Sequence, residues 1–175
     1  MKIFSRGAMA VLAVVLFSGV AQAAVKVELS GLHICCGACV SGIQKAAKGI
    51  EGTKIEVDKD AATCTIEADD LKAAQKVVDA IAAAGYHGDS DTKGVSMKDD
   101  SKAPKGKVNR IIVKGAHNCC RGCSNAIRDV VKDVEGVQAS TVEPRGTSFV
   151  VEGDFEAVAL VKALNDNGFH VTVTR

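Results

Sequence analysis

The chain has 175 residues, 22 lysines and arginines against 21 acidic residues, and only 3 % aromatic side chains. So balanced a charge gives no electrostatic footprint for nucleic acid or an anionic membrane, and so few rings leave little on which bases could stack. Nucleic-acid binding is therefore excluded as the expected role.

Residues 1–23 read as a secretory signal peptide. Lys2 and Arg6 form a positive start, Ala8 to Val20 is apolar, and Ala21-Gln22-Ala23 is a small-residue cleavage site. Its loss takes the 22 basic residues to 20 against 21 acidic ones. No later stretch approaches the twenty or so apolar residues a membrane helix needs. The expectation is an exported chain, periplasmic or secreted, that does not insert in the membrane after cleavage.

Val25, Val27 and Leu29 alternate with Lys26, Glu28 and Ser30, the pattern of a half-buried strand. The string GLHICCGACV follows from Gly31, and then Val40, Ile43, Ala46, Ala47 and Ile50 recur at helical spacing. Gly52 is placed to close that helix. Ile55 and Val57 alternate with charges, Cys64 and Ile66 mark a third strand, and Leu71, Ala74, Val77, Val78 and Ile81 a second helix. After Gly85-Tyr86-His87 the sequence GDSDTKG is a poor strand, so the fourth is expected to be short. The stretch from Gly88 to Lys107 is rich in Gly, Ser, Asp and Lys and reads as a flexible linker.

The pattern then repeats. A shift of 84 positions lays Gly31, His33, Cys35, Cys36 and Cys39 on Gly115, His117, Cys119, Cys120 and Cys123. Ile127, Val130, Val131 and Val134 repeat the first helix, with Gly136 at its end, and Phe149 and Val151 repeat the third strand. Val158, Val161 and Leu164 repeat the second helix, Gly168-Phe169-His170 meets Gly85-Tyr86-His87, and Val171 and Val173 form a last strand. The order β-α-β-β-α-β predicts an α+β chain of two tandem ferredoxin-like domains, each a four-stranded antiparallel sheet under two helices. The domains are expected at 24–90 and 108–175, joined by a linker at 91–107.

Six of the seven cysteines lie in the two repeated loops. Stabilising disulfides join distant segments, because closing a long loop removes more unfolded-state entropy. Clustering instead suggests ligands or local redox chemistry. Cys64, paired by the repeat with Phe149, is expected to pack as a small apolar residue.

These features together resemble heavy-metal-associated domains: a glycine ending the first strand, CxxC starting the first helix, a later Glu-Gly, and a glycine–aromatic pair before the last strand. Such domains occur in copper chaperones, in the N-terminal tails of metal-pumping ATPases and in the periplasmic mercury-binding protein. The resemblance implies that Cys36 and Cys39, and Cys120 and Cys123, are metal thiolates. Here the loop is longer: the first cysteine of CxxC stands five residues after its glycine rather than three. It adds a thiol (Cys35, Cys119) and a histidine (His33, His117) as further candidate ligands. His87 and His170 are read either as additional ligands, or groups that tune the thiolates, or as surface histidines at a strand start.

Thiolates at a helix N-terminus are favoured by the positive end of its dipole, and soft sulfur selects Cu(I), Zn(II) or Hg(II) over Mg or Ca. The expected cargo is a soft metal ion, Cu(I) first, with Hg(II) or Zn(II) as alternatives. A Cys₃His set would favour zinc. The expected partner is an acceptor domain or a metal-transporting membrane protein. No catalytic constellation of serine, histidine and carboxylate and no phosphate-cradling loop stands out, so a binding protein rather than an enzyme is expected. Two other readings stand beside it: a dithiol redox protein, and a structural adaptor with oxidised CxxC loops.

Overall fold

The alternation of Val27 and Leu29 with charged neighbours becomes strand β1 (Val25–Ser30), with both apolar side chains fully buried. The computed structural model describes residues 24–175; the segment read as a signal peptide lies outside them. After β1 come α1 (Gly37–Ala47), β2 (Thr53–Asp58), β3 (Thr63–Ala68), α2 (Leu71–Ala83) and a two-residue β4 (Asp89–Ser90). All pairings are antiparallel, in the order β2-β3-β1-β4. Leu29 lies opposite Cys64 and Val27 opposite Ile66, so one sheet face is apolar and is covered by Ile43, Val77, Val78 and Ile81 of the two helices.

The second unit repeats this with β5 (Lys107–Lys114), α3 (Arg121–Lys132), β6 (Val137–Ser140), β7 (Ser148–Glu156), α4 (Ala157–Asp166) and β8 (Thr172–Thr174). Its strand order is β6-β7-β5-β8. The chain is thus two tandem ferredoxin-like βαββαβ units. One detail departs from the sequence reading. Helix α1 stops at Ala47, and Gly49 (φ +82°) rather than Gly52 makes the left-handed turn just past its end. Gly52 and Gly136 instead sit at positive φ immediately before β2 and β6. Left-handed backbone costs glycine little, so Gly49 serves past α1, while α3 ends at Lys132 without a glycine beside it.

The two units are docked through their repeat-equivalent glycine–aromatic–histidine turns. Tyr86 and Phe169 form an antiparallel bridge, and both rings are fully buried. The His87 amide donates to the Gly168 carbonyl (3.0 Å), and the His117 and His170 amides donate to the Gly85 carbonyl (both 3.1 Å). Gly85 and Gly168 lie against the other unit's backbone: a Cβ on Gly85 would meet the Gly115 oxygen at 2.1 Å, and one on Gly168 the His33 nitrogen at 2.2 Å. Only hydrogen side chains allow the units to approach this closely.

The segment expected to be a flexible linker runs along both units and is fastened to them. Val95 is buried, Gln75 bonds Ser96 through both its amide nitrogen and its oxygen, and the Val173 amide of β8 donates to the Ser101 carbonyl (2.8 Å). Its polar composition is accounted for by these hydrogen bonds and by exposed charges such as Lys98, which pairs with Asp79.

Candidate metal centre

Each cysteine loop ends by starting a helix. Cys36 and Cys120 occupy the N-cap positions of α1 and α3, in extended backbone, where Ser, Thr, Asp or Asn normally supply an oxygen. Neither side chain caps its helix, and neither first turn carries an acidic residue. The positive ends of both dipoles therefore face sulfur. Cys39 and Cys123, one turn in, are fully buried. The loops themselves are held differently. Leu32 and Ile34 pack the first into the core, with the Leu32 amide on the Ala62 carbonyl. The second is tied by Asn118, which donates to the Glu143 carbonyl (2.8 Å) and accepts from the Ser124 hydroxyl (3.1 Å).

Docking brings the two loops together. Within the units, Cys36–Cys39 sulfurs are 3.8 Å apart and Cys120–Cys123 sulfurs 3.9 Å. Between units, Cys35 lies 3.6 Å from Cys120 and 3.5 Å from Cys123, while Cys119 lies 3.9 Å from Cys36 and 3.7 Å from Cys39. Cys39 and Cys123 meet at 3.9 Å, Cys35 and Cys39 at 3.7 Å, and Cys119 and Cys123 at 3.8 Å. All six are free thiols, at separations well beyond the roughly 2.05 Å of a disulfide bond.

The histidines divide into two pairs. His33 stacks on Phe169 (centroids 4.3 Å) and His117 on Tyr86 (4.2 Å), each ring resting on the aromatic of the other unit. Donor groups form from Cys39, His117, Cys119 and Cys123, from His33, Cys35 and Cys123, and from Cys35, Cys36 and Cys120. The Nε2 atoms of His33 and His117 are buried without a hydrogen-bond partner. A buried polar atom is rarely left so, and a thiolate or a metal ion beside it would satisfy it. His87 and His170 lie elsewhere: their Nδ1 atoms face each other at 3.2 Å, and His170 Nε2 is 2.9 Å from Asp100. They join none of the donor groups. Cys64 is fully buried within β3, apart from the loops.

Crowding separates the thiols electrostatically. The Cys39 thiol is lowered to about 2, first because Cys123 donates to its sulfur, against the opposing cost of burial. Cys123 is pushed up correspondingly by keeping its proton toward Cys39. Burial raises both Cys35 and Cys119 to about 12. Cys120 falls to about 7, chiefly through the backbone N–H of Cys123. Burial also holds His33 below the usual imidazole range, leaving its ring neutral and fit to act as a ligand. The donor set of six soft sulfurs and two imidazole rings thus suits a thiophilic ion rather than a hard cation.

Three residues of this site escaped the sequence reading as participants: Tyr86, Phe169 and Gly42. The Tyr86 hydroxyl donates to the Cys39 carbonyl at 2.9 Å, and Gly42 of α1 lies directly beneath that hydroxyl. The signal available was positional, since the aromatic–histidine pairs fall at equivalent places in both repeats.

The fold and centre define a class: tandem ferredoxin-like units that converge their helix-starting thiols on one point. Residues 110–170, almost the whole second unit, match the family of the heavy-metal-associated domain, and that unit is a domain of this family. The first unit shares its strand order and cysteine loop. Among solved structures the chain is similar to the N-terminal soluble domains of Bacillus subtilis CopA, with 17 % identity and a TM-score of 0.32 over 87 % of this chain and 95 % of that one. It is also similar to the first two RRM domains of yeast poly(U) binding protein Pub1, with 12 % identity and a TM-score of 0.23 over 85 % and 97 %. Comparison with curated proteins gives no match. Among the described residues no helix is long and apolar enough to cross a membrane.

Proposed function

We propose that this chain is an exported binding protein for a soft metal ion, Cu(I) above Hg(II) or Zn(II), which it scavenges or relays to an acceptor domain. It performs no catalysis of its own in this reading. The observation that carries it is the convergence of six thiol sulfurs, with neighbours at 3.5 to 3.9 Å, at the N-termini of two helices. The heavy-metal-associated match of the second unit supports the same chemistry. When bound, the ion would supply the positive charge that these crowded thiolates need, and the chain's residues would hold it. Cys36, Cys39, Cys120 and Cys123 would be its principal ligands. Binding releases thiol protons, so affinity falls as pH falls.

Native mass spectrometry of the reduced mature chain with Cu(I), Zn(II) and Hg(II) tests this. The expected result is retention of Cu(I) in preference to Zn(II), lost in a Cys36→Ser/Cys39→Ser/Cys120→Ser/Cys123→Ser variant. Equal retention by that variant would overturn the reading.

A further inference from the structure

The family resemblance leaves the extra cysteine of each loop without a role, and the sulfur geometry supplies one. A metal–sulfur bond of about 2.3 Å places two sulfurs about 4.6 Å apart across a linear ion, about 4.0 Å in a trigonal plane and about 3.8 Å in a tetrahedron. The two CxxC pairs, at 3.8 and 3.9 Å, are spaced for three or four ligands rather than two.

The third sulfur comes from the opposite unit. Cys119 touches both Cys36 (3.9 Å) and Cys39 (3.7 Å), closing a triangle with the first unit's pair. Cys35 touches both Cys120 (3.6 Å) and Cys123 (3.5 Å), closing the matching triangle in the second. Toward its own pair each extra cysteine has one sulfur in close contact, Cys35 with Cys39 (3.7 Å) and Cys119 with Cys123 (3.8 Å), and Cys36 lies within 4.8 Å of Cys35. The docking contacts explain this crossing. Residues 33 and 117 are each pinned on the other unit's aromatic ring, and the thiol two residues later is carried across with them.

We infer that Cys35 and Cys119 are thiolate ligands acting in trans, each completing a three-sulfur soft-metal site whose other two ligands are the CxxC pair of the other unit. The inference rests on the soft-metal reading above and adds to it. Neither unit holds a complete site alone. The two triangles also touch through Cys35–Cys39 (3.7 Å), Cys119–Cys123 (3.8 Å) and Cys39–Cys123 (3.9 Å), so the sites are adjacent.

The test isolates one triangle in the full mature chain. In a Cys36→Ser/Cys39→Ser background, Cu(I) is bound at Cys120 and Cys123, and X-ray absorption counts the sulfurs around it. Three are expected. Adding Cys35→Ser should reduce the count to two and weaken binding by about tenfold or more, as lost site contacts typically do, in competition with a Cu(I) chelator. Adding Cys119→Ser instead should leave three. The mirror background, Cys120→Ser/Cys123→Ser, should show dependence on Cys119 and not on Cys35, which guards against one variant folding poorly. If the third sulfur is lost with the cysteine of the same unit, or if two sulfurs are counted throughout, the trans assignment is wrong while metal binding stands. If neither background nor the parent chain retains Cu(I), the soft-metal reading itself falls and takes this one with it.

Discussion

Seven cysteines share one side-chain chemistry, yet their surroundings give them unlike behaviour. Cys64 is the clearest contrast with the loops, since burial among apolar neighbours raises its thiol to about 12 from an ordinary 9.0. A raised acid value means that the folded chain favours the protonated form. The stability linked to this residue is complete below about pH 9 and is lost as pH climbs from there toward 12. Denaturation midpoints of the parent and a Cys64→Ala variant should therefore differ most at pH 8, the parent being more stable. The gap should narrow steadily up to pH 11. A gap that stays constant would show that folding does not shift the ionisation of Cys64. Cys64 was legible in the sequence because it alternates with Ile66 in a strand. The trans roles of Cys35 and Cys119 were not, because the periodicity within one copy says nothing about which thiol of the other copy will come near.

At the scale of elements, the two repeats differ in a way that fits one contact. Tyr86 lies over α1, and α1 has Gly42 below the hydroxyl, where an added Cβ would stand 2.2 Å from that oxygen. The repeat-equivalent position in α3 is Ala126, and the equivalent ring is Phe169, which lacks the hydroxyl. Glycine is matched with tyrosine and alanine with phenylalanine. Ordinarily a helical glycine replaced by alanine gains about 0.8–1.0 kcal/mol. Here Gly42→Ala should instead destabilise by about 1–3 kcal/mol, because it overpacks the site and displaces the bond to the Cys39 carbonyl. Tyr86→Phe alone should cost about 0.5–1.5 kcal/mol for that bond. The double variant should be more stable than Gly42→Ala alone. Urea denaturation of all four chains measures the coupling, and strict additivity would refute the pairing. The helices and strands themselves were readable from apolar spacing, down to the shortness of β4. The end of α1 was misplaced because Gly49 and Gly52 both suit a left-handed turn, and spacing alone did not rank them.

For the whole molecule, the decisive feature is the docking of two units that each have the elements of a complete fold. Composition read the connecting segment as free, since its residues are polar; the hydrogen bonds of Gln75, Ser96 and Ser101 that fasten it join places far apart in sequence. The docked arrangement depends on Gly85 and Gly168. Alanine at both would strain positive-φ backbone by roughly 1–2 kcal/mol at each position and thrust a methyl group into the opposite unit's main chain. The Gly85→Ala/Gly168→Ala chain should keep its far-ultraviolet circular dichroism while its radius of gyration in small-angle scattering increases. An unchanged radius would mean that the turns do not hold the units together.

Cys39 and Cys123 have no exposed surface at the junction of the units. The other four loop thiols form a rim around that pair, Cys35 exposed and Cys36, Cys119 and Cys120 half-buried. In the proposed relay an incoming thiol would therefore meet the rim first, and the buried pair, walled in by the turns that dock the units, would let go last.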